Sequence, residues 1–140
     1  MRFMIIRKAD KETEAGVLPS EELLAAMMKY NEEMVKAGVM LQGEGLQASS
    51  KGARVKFSGG KPTVIDGPFT ETKELIAGFT MIQVKSMEEA IEWVKRWPAI
   101  DGAAELEIRQ VFEAEDFGPA LTPEIRKQEE RLRAQAAAKR

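Results

Sequence analysis

Between Asp66 and Phe79 the chain reads Asp-Gly-Pro-Phe-Thr-Glu-Thr-Lys-Glu-Leu-Ile-Ala-Gly-Phe, the densest local chemistry in its 140 residues. Asp66, Lys73 and Glu74 set alternating charges close together around an aromatic residue, Phe69. Aimed at one cleft, such a set binds or polarises a small polar ligand. The same residues also make a turn on backbone grounds alone. Asp66 and Gly67 are turn formers, and Pro68 fixes its own φ. The Asp66 carboxylate can close an Asx-turn, and Thr70 can cap a short helical turn with Glu71 near its positive end. Two readings therefore stand side by side: Asp66 as a turn cap with Phe69 as a core plug, or Asp66 presented to a ligand.

Composition narrows the chemistry. The chain has no histidine and no cysteine. Ser-His-Asp and Cys-His catalysis, zinc-cysteine sites and histidine-ligated metals are thereby excluded in their usual forms. The general acids and bases left are carboxylates, lysines and Tyr30. On an enzymatic reading Asp66 is a general base, with Glu44 or Lys73 as its partner, and Arg54 or Arg109 holds an anionic or carbonyl-bearing substrate. The chemistry is then proton abstraction, as in a lyase, isomerase or dehydrohalogenase. Glu44 sits between Gly43 and Gly45, where backbone can approach a ligand closely. No metal site and no cofactor is expected. A carboxylate-bound magnesium or calcium is compatible with the composition, but no EF-hand spacing is present.

Hydrophobic residues make up 44% and charged residues 31%, with a net charge of −2. That is one soluble domain with a real core and no general attraction to nucleic acid or anionic membranes. The apolar part of Met-Arg-Phe-Met-Ile-Ile-Arg-Lys is too short for a signal peptide, and no stretch reaches the length of a membrane span. The expected location is the cytoplasm.

Periodicity orders the elements. Phe3 to Arg7 reads as a strand and Ala9 to Leu18 as a mobile loop. Ser20 caps a helix whose stripe is Leu23, Met27, Tyr30 and Met34, ended by Gly38. Val39 to Leu46, Ala53 to Phe57 and Pro62 to Ile65 read as strands, the last two joined by a Ser58-Gly59-Gly60-Lys61 hairpin turn. Ala77 to Val84 is a further strand. Ser86 with Glu89 makes a capping box for a second helix, which Pro98 stops. Glu105 to Phe112 alternates as a last strand, and Thr122 to Arg140 is an appended, mildly basic helix with few apolar anchors.

Without the hairpin the order is strand-helix-strand twice over. That predicts an α+β, ferredoxin-like split β-α-β fold with an inserted β-hairpin. Both helices belong on one sheet face. The other face, to which Phe3, Ile5, Met81 and Val111 are assigned, is too apolar for open water and predicts a homodimer through the sheets.

The chain resembles the YCII-related family, in the branch named for its DGPF motif. The likeness covers nearly the whole chain through Phe117. It includes Lys29-Tyr30-Asn31-Glu32-Glu33, Gly43-Glu44-Gly45-Leu46, Ser50-Lys51-Gly52-Ala53-Arg54-Val55, Gly60-Lys61-Pro62-Thr63-Val64, the Asp-Gly-Pro-Phe turn and Lys73-Glu74-Leu75-Ile76-Ala77-Gly78-Phe79. The resemblance implies a dimeric α/β barrel. It implies a small-molecule-binding or regulatory protein linked to extracytoplasmic-function sigma factors, with a small-molecule enzyme as the alternative. Many relatives carry a histidine where Gln47 stands, and members with a His–Asp pair are suspected enzymes. Gln47 exchanges hydrogen bonds but does not shuttle protons near neutral pH. The site residues expected are Asp66, Glu44 and Lys73 for catalysis, with Gln47, Arg54, Phe69, Glu74 and Arg109 for ligand binding.

Gly118 and Pro119 break the pattern, which divides the chain into a domain over residues 1–118 and an appended helix over 119–140. Deleting Thr122 to Arg140 is expected to leave a cooperatively folding domain, checked by circular dichroism melting. A truncated chain that fails to fold would make the helix integral.

Overall fold

The computed structural model describes all 140 residues, Met1 to Arg140. It divides into two compact units, Met1–Gln110 and Val111–Arg140. The first contains β1 (Arg2–Lys8), α1 (Lys11–Glu14), α2 (Glu21–Lys36), β2 (Met40–Gly45), β3 (Ala53–Ser58), β4 (Lys61–Asp66), β5 (Ile76–Gln83), α3 (Met87–Val94) and β6 (Leu106–Gln110). The second holds a 3₁₀ segment, Ala114–Ala120, and α4 (Pro123–Ala138), whose N-cap is Thr122. No helix is long and apolar enough to cross a membrane.

Four strands form an antiparallel sheet in the order β2-β5-β1-β6. With β3 and β4 set aside as a separate two-stranded hairpin, this is the ferredoxin-like split β-α-β order, so the expected α+β fold holds. The first and third sheet strands lie at the centre, as the split β-α-β topology requires.

Register decides which side chains form the core. Phe3 pairs with Ile82 and Ile5 with Thr80, so all four point to one face. That face meets α2 and α3: Phe3, Ile5, Ile82 and Val84 cluster with Tyr30, Met34, Val39 and Ala90. Phe3, Ile5, Met34 and Ile82 are fully buried. The assignment of Phe3 and Ile5 to the second face is therefore corrected by one residue of parity. The face without those helices carries Met4, Ile6, Phe79 and Met81, each half-buried. β1 is apolar on both sides, so alternation along the strand alone does not distinguish them.

The helix ends follow from local chemistry. Ser20 Oγ accepts the Leu23 N–H at the start of α2. At its end Gly38 takes φ +71°, its N–H reaches the Val35 carbonyl, and the Val39 N–H reaches the Met34 carbonyl. That paired bonding is a Schellman motif, open to a glycine at negligible steric cost. In α3 Ser86 Oγ accepts the Glu89 N–H, while the Glu89 carboxylate accepts from Lys85 N–H at 2.8 Å, one residue before the cap.

Ala9 to Leu18, expected as a mobile loop, is ordered by a capping box. Asp10 Oδ1 accepts the Thr13 N–H, and Thr13 Oγ1 accepts the Asp10 N–H, both at 2.9 Å, which starts the single turn α1. The Thr13 N–H, and after it the Arg7 guanidinium, hold the Asp10 carboxyl below the usual carboxylate range.

Arg7 fastens the far end of the sheet. Its Nε and Nη2 donate to the two oxygens of Asp101, and its Nη1 donates to the Lys8 carbonyl and to Asp10. Trp97 Nε1 donates to the same Asp101 carboxylate at 2.9 Å. The Asp101 carboxylate raises the pKa of Arg7 further. Beside this corner Tyr30 donates to the Trp93 carbonyl at 2.6 Å and meets the Trp97 ring edge-on at 5.6 Å.

Burial pushes the Tyr30 hydroxyl up to about 12 from the ordinary 10.0. A raised folded-state value stabilises the fold fully below the unfolded value and loses that contribution as pH rises through 10 towards 12. Tyr30 is the chain's single tyrosine, so an ultraviolet absorbance titration reads it alone. Tyrosinate is expected to form near pH 12 in the folded protein and near 10 in urea. Equal values in both conditions would refute its burial.

Candidate functional site

The Asp66 turn is positioned by the hairpin that precedes it and the loop it lands on. In the hairpin Ala53 lies opposite Asp66, Val55 opposite Val64 and Phe57 opposite Pro62, turning at Gly59 and Gly60 with φ of +59° and +80°. Just past Asp66, the Gly67 N–H donates to the Gly52 carbonyl at 3.0 Å. A Cβ on Gly67 would lie 1.7 Å from the Ser49 carbonyl oxygen, so this position admits only glycine. The Gly67–Pro68 peptide is cis. The Phe69 N–H then donates to Ser49 Oγ at 3.0 Å.

Ser49 is itself held. Its N–H donates to Glu14 Oε2 at 3.0 Å, and its hydroxyl donates to the other oxygen of the same carboxylate. Glu14 closes α1, so a chain of hydrogen bonds ties the N-terminal turn to Ser49 and thence to Phe69. The Arg54 guanidinium covers the Phe69 ring at 3.8 Å from its centroid, which fixes both partners.

None of this uses the Asp66 side chain. The Phe69 N–H that an Asx-turn would occupy goes to Ser49, and Asp66 stands exposed with no hydrogen bond or ion pair. The turn-cap reading of Asp66 is thereby corrected, since the loop before the hairpin supplies the cap instead. Thr70 does not cap a helical turn either. The 3₁₀ turn Thr72–Glu74 has Glu71 at its N-cap and no side-chain cap bond.

The other expected site residues fall on two further surfaces. Lys73 lines a cleft of about 270 Å³ with Arg7, Lys8, Asp10 and Glu105, and Glu74 is exposed on the same turn. Glu44 and Arg109 occupy the sheet face without helices. Glu44 is opposite Phe79 on β2, and Arg109 is opposite Met4 on β6. In strand order one row reads Gln42–Met81–Met4–Arg109 and the next Glu44–Phe79–Ile6–Glu107. An apolar centre is thus rimmed by carboxylates and a guanidinium about 14 Å apart, at three strand spacings. Glu107 accepts from Arg109 at 3.3 Å and meets Lys8 Nζ at 3.8 Å. Gln47 is exposed just after β2. No ion pair or hydrogen bond joins Asp66, Glu44 and Lys73 to one another. No cluster of carboxylates is arranged to hold a metal ion.

Ser49 and Glu14, which hold the turn, carry no local sequence signal of that role. Glu14 lies in the polar stretch from Ala9 to Leu18, which reads as a loop. The usable signal for Ser49 was Gly67, because a glycine inside a turn already rich in turn formers marks a close neighbour.

An antiparallel ferredoxin-like sheet with two helices on one face and a hairpin delivering an Asp-Gly-Pro-Phe turn defines a small α+β domain. Residues 1–115 match the YCII-related domain, and the chain belongs to that family. It is 34% identical over 85 residues to an uncharacterized protein of Rhizobium meliloti (strain 1021), a match covering 61% of this chain and 64% of that protein. The chain thus matches less than two thirds of the length of that relative. Among solved structures it is similar to the 5-chloro-2-hydroxyhydroquinone dehydrochlorinase from Burkholderia phenoliruptrix, in complex with 2,5-dihydroxybenzoquinone. There the identity is 18% and the TM-score 0.43, over 82% of this chain and 98% of that one.

Gly67→Ala is expected to destabilise the fold by about 1–3 kcal/mol, the usual cost of an added methyl in packed surroundings. Ser49→Ala, which strands the Phe69 N–H, is expected to cost about 1–3 kcal/mol. Urea denaturation checks both. A Ser49→Ala variant as stable as the parent would show that the link is not holding the turn.

Proposed function

We propose that this protein belongs to the DGPF-motif branch of its family and binds a small polar molecule as a cytoplasmic homodimer. Its role is that of a ligand-binding or regulatory module, in the setting of extracytoplasmic-function sigma-factor signalling that the family resemblance implies. One observation carries the ligand reading. The turn around Asp66 is fixed by Gly52, Ser49, Glu14 and Arg54, yet the Asp66 carboxylate itself is left free. A fold that immobilises the backbone beside a carboxylate and does not use that carboxylate is pre-organised for an external partner. The dimer is supported by Met4, Ile6, Phe79 and Met81 on the sheet face that α2 and α3 leave alone. Neither nucleic acid nor a membrane is a partner in this reading.

The alternative is a lyase, isomerase or dehydrohalogenase. The same free carboxylate favours it, because a general base must be fixed in place without being spent on an internal bond. Asp66 would then remove a proton from carbon beside a carbonyl or halide; Glu44, Lys73 and Arg109 stand on other surfaces of the chain and do not assist it within one copy.

Asp66→Asn separates these readings. Its melting temperature is expected to match the parent's, while thermal shifts produced by a panel of small hydroxy, keto and phenolic acids disappear. A variant that melts early but keeps every ligand shift would reduce Asp66 to a structural residue. Product formation from any ligand found, lost in Asp66→Asn with binding retained, would decide for the enzyme.

A further inference from the structure

The β3–β4 hairpin is all surface. Every one of its strand residues is exposed. Register sorts them into two unlike sides. Ala53, Val55, Phe57, Pro62 and Val64 share one side with Asp66, whereas Arg54, Lys56 and Lys61 share the other with Thr63 and Ile65. Phe57 is 72%, Val64 65% and Val55 54% exposed. A two-stranded ribbon is marginal in water by itself, and a contiguous apolar stripe on one is a surface built to be covered.

Charge says what covers it. From Lys51 to Asp66 the chain has four cations, Lys51, Arg54, Lys56 and Lys61, and a single acid, Asp66. The whole chain is net −2, so the rest of it is net −5. A basic arm on an acidic body is self-complementary between copies, which favours and steers association of the chain with itself.

We propose that the β3–β4 hairpin is a dimer arm whose Val55–Phe57–Pro62–Val64 side lies on the β2 edge of a second copy of this chain, reciprocally about a two-fold axis. The receiving edge is suited to it. β2 is an outer strand, and Leu41 on it and Leu46 just past its end stand 49% and 46% exposed. Docking on this side leaves Arg54, Lys56 and Lys61 in water, so no cation is buried unpaired. Asp66 is at the root of the docked side, so the second copy closes against it. A ligand held by Asp66 would then touch both copies. The inference rests on the homodimer of the proposed function and adds its second contact.

Sedimentation equilibrium of the full chain tests it. Val64→Lys, on the docked side, is expected to raise the dimer dissociation constant by about tenfold or more, because a lysine there must be desolvated without a partner. Thr63→Lys, on the opposite side, is expected to leave it unchanged, and circular dichroism confirms that both variants fold. The chain has no cysteine, so engineered pairs cross-link cleanly. Val64→Cys with Leu46→Cys is expected to give an oxidised dimer, and Thr63→Cys with Leu46→Cys is not. A dimer indifferent to Val64→Lys, or a cross-link formed only within one chain, overturns the arm and leaves the homodimer standing. A parent chain that is monomeric at micromolar concentration overturns both.

Discussion

β1 is paired on both sides and apolar on both faces, and most of the architecture follows from that one strand. Its odd residues, Phe3 and Ile5, are sealed under α2 and α3 with no exposure at all. Its even residues, Met4 and Ile6, hold the middle of two rows that run from Gln42 and Glu44 to Arg109 and Glu107. A slip of one residue in β6 would turn Glu107 and Arg109 under the helices and Ile108 out to the other face. The register also sets where Arg7 falls. It shares the helix-facing side with Phe3 and Ile5, so its charge is met by Asp101, which Trp97 also holds.

The second organising device is the relay from Glu14 through Ser49 to Phe69. It joins segments far apart in sequence by hydrogen bonds of the Glu14 and Ser49 side chains rather than by a hydrophobic contact. Such bonds are directional, so they fix orientation as well as proximity. The glycine at position 67 lets the two turns approach until their carbonyl and amide groups meet. The Asp66 backbone is thereby held from the hairpin side by its pairing with Ala53, and from the turn side by Gly67 and Phe69.

The order of elements and the ferredoxin-like topology were legible because their signals are local: Ser20 and Ser86 as caps, Gly38 as a stop, Gly59-Gly60 as a turn. The faces of β1 were not, since Phe-Met-Ile-Ile contains no alternation to read. α1 was missed because its only mark is the Asp10–Thr13 pair, four residues in a polar stretch. The role given to Asp66 as a cap failed for a tertiary reason. The donor it would have satisfied is taken by Ser49, twenty residues away. The contacts that hold the turn are divided: Gly52 and Arg54 lie in a segment that resembles the family, whereas Ser49 and Glu14 lie outside the segments quoted for it.

Both tryptophans of the chain sit at the end of α3, and both have charged neighbours. Trp93 lies under the Arg96 guanidinium at 4.2 Å, and Trp97 donates to Asp101. Intrinsic fluorescence therefore reports the corner where α3, β1 and α2 meet, and its emission will follow the state of the Arg7–Asp101 pair. The Asp66 turn has no indole of its own among the residues that hold it. An occupied turn would leave the emission dark to the event unless the corner moved with it, so an optical assay for this molecule needs a reporter placed at the turn.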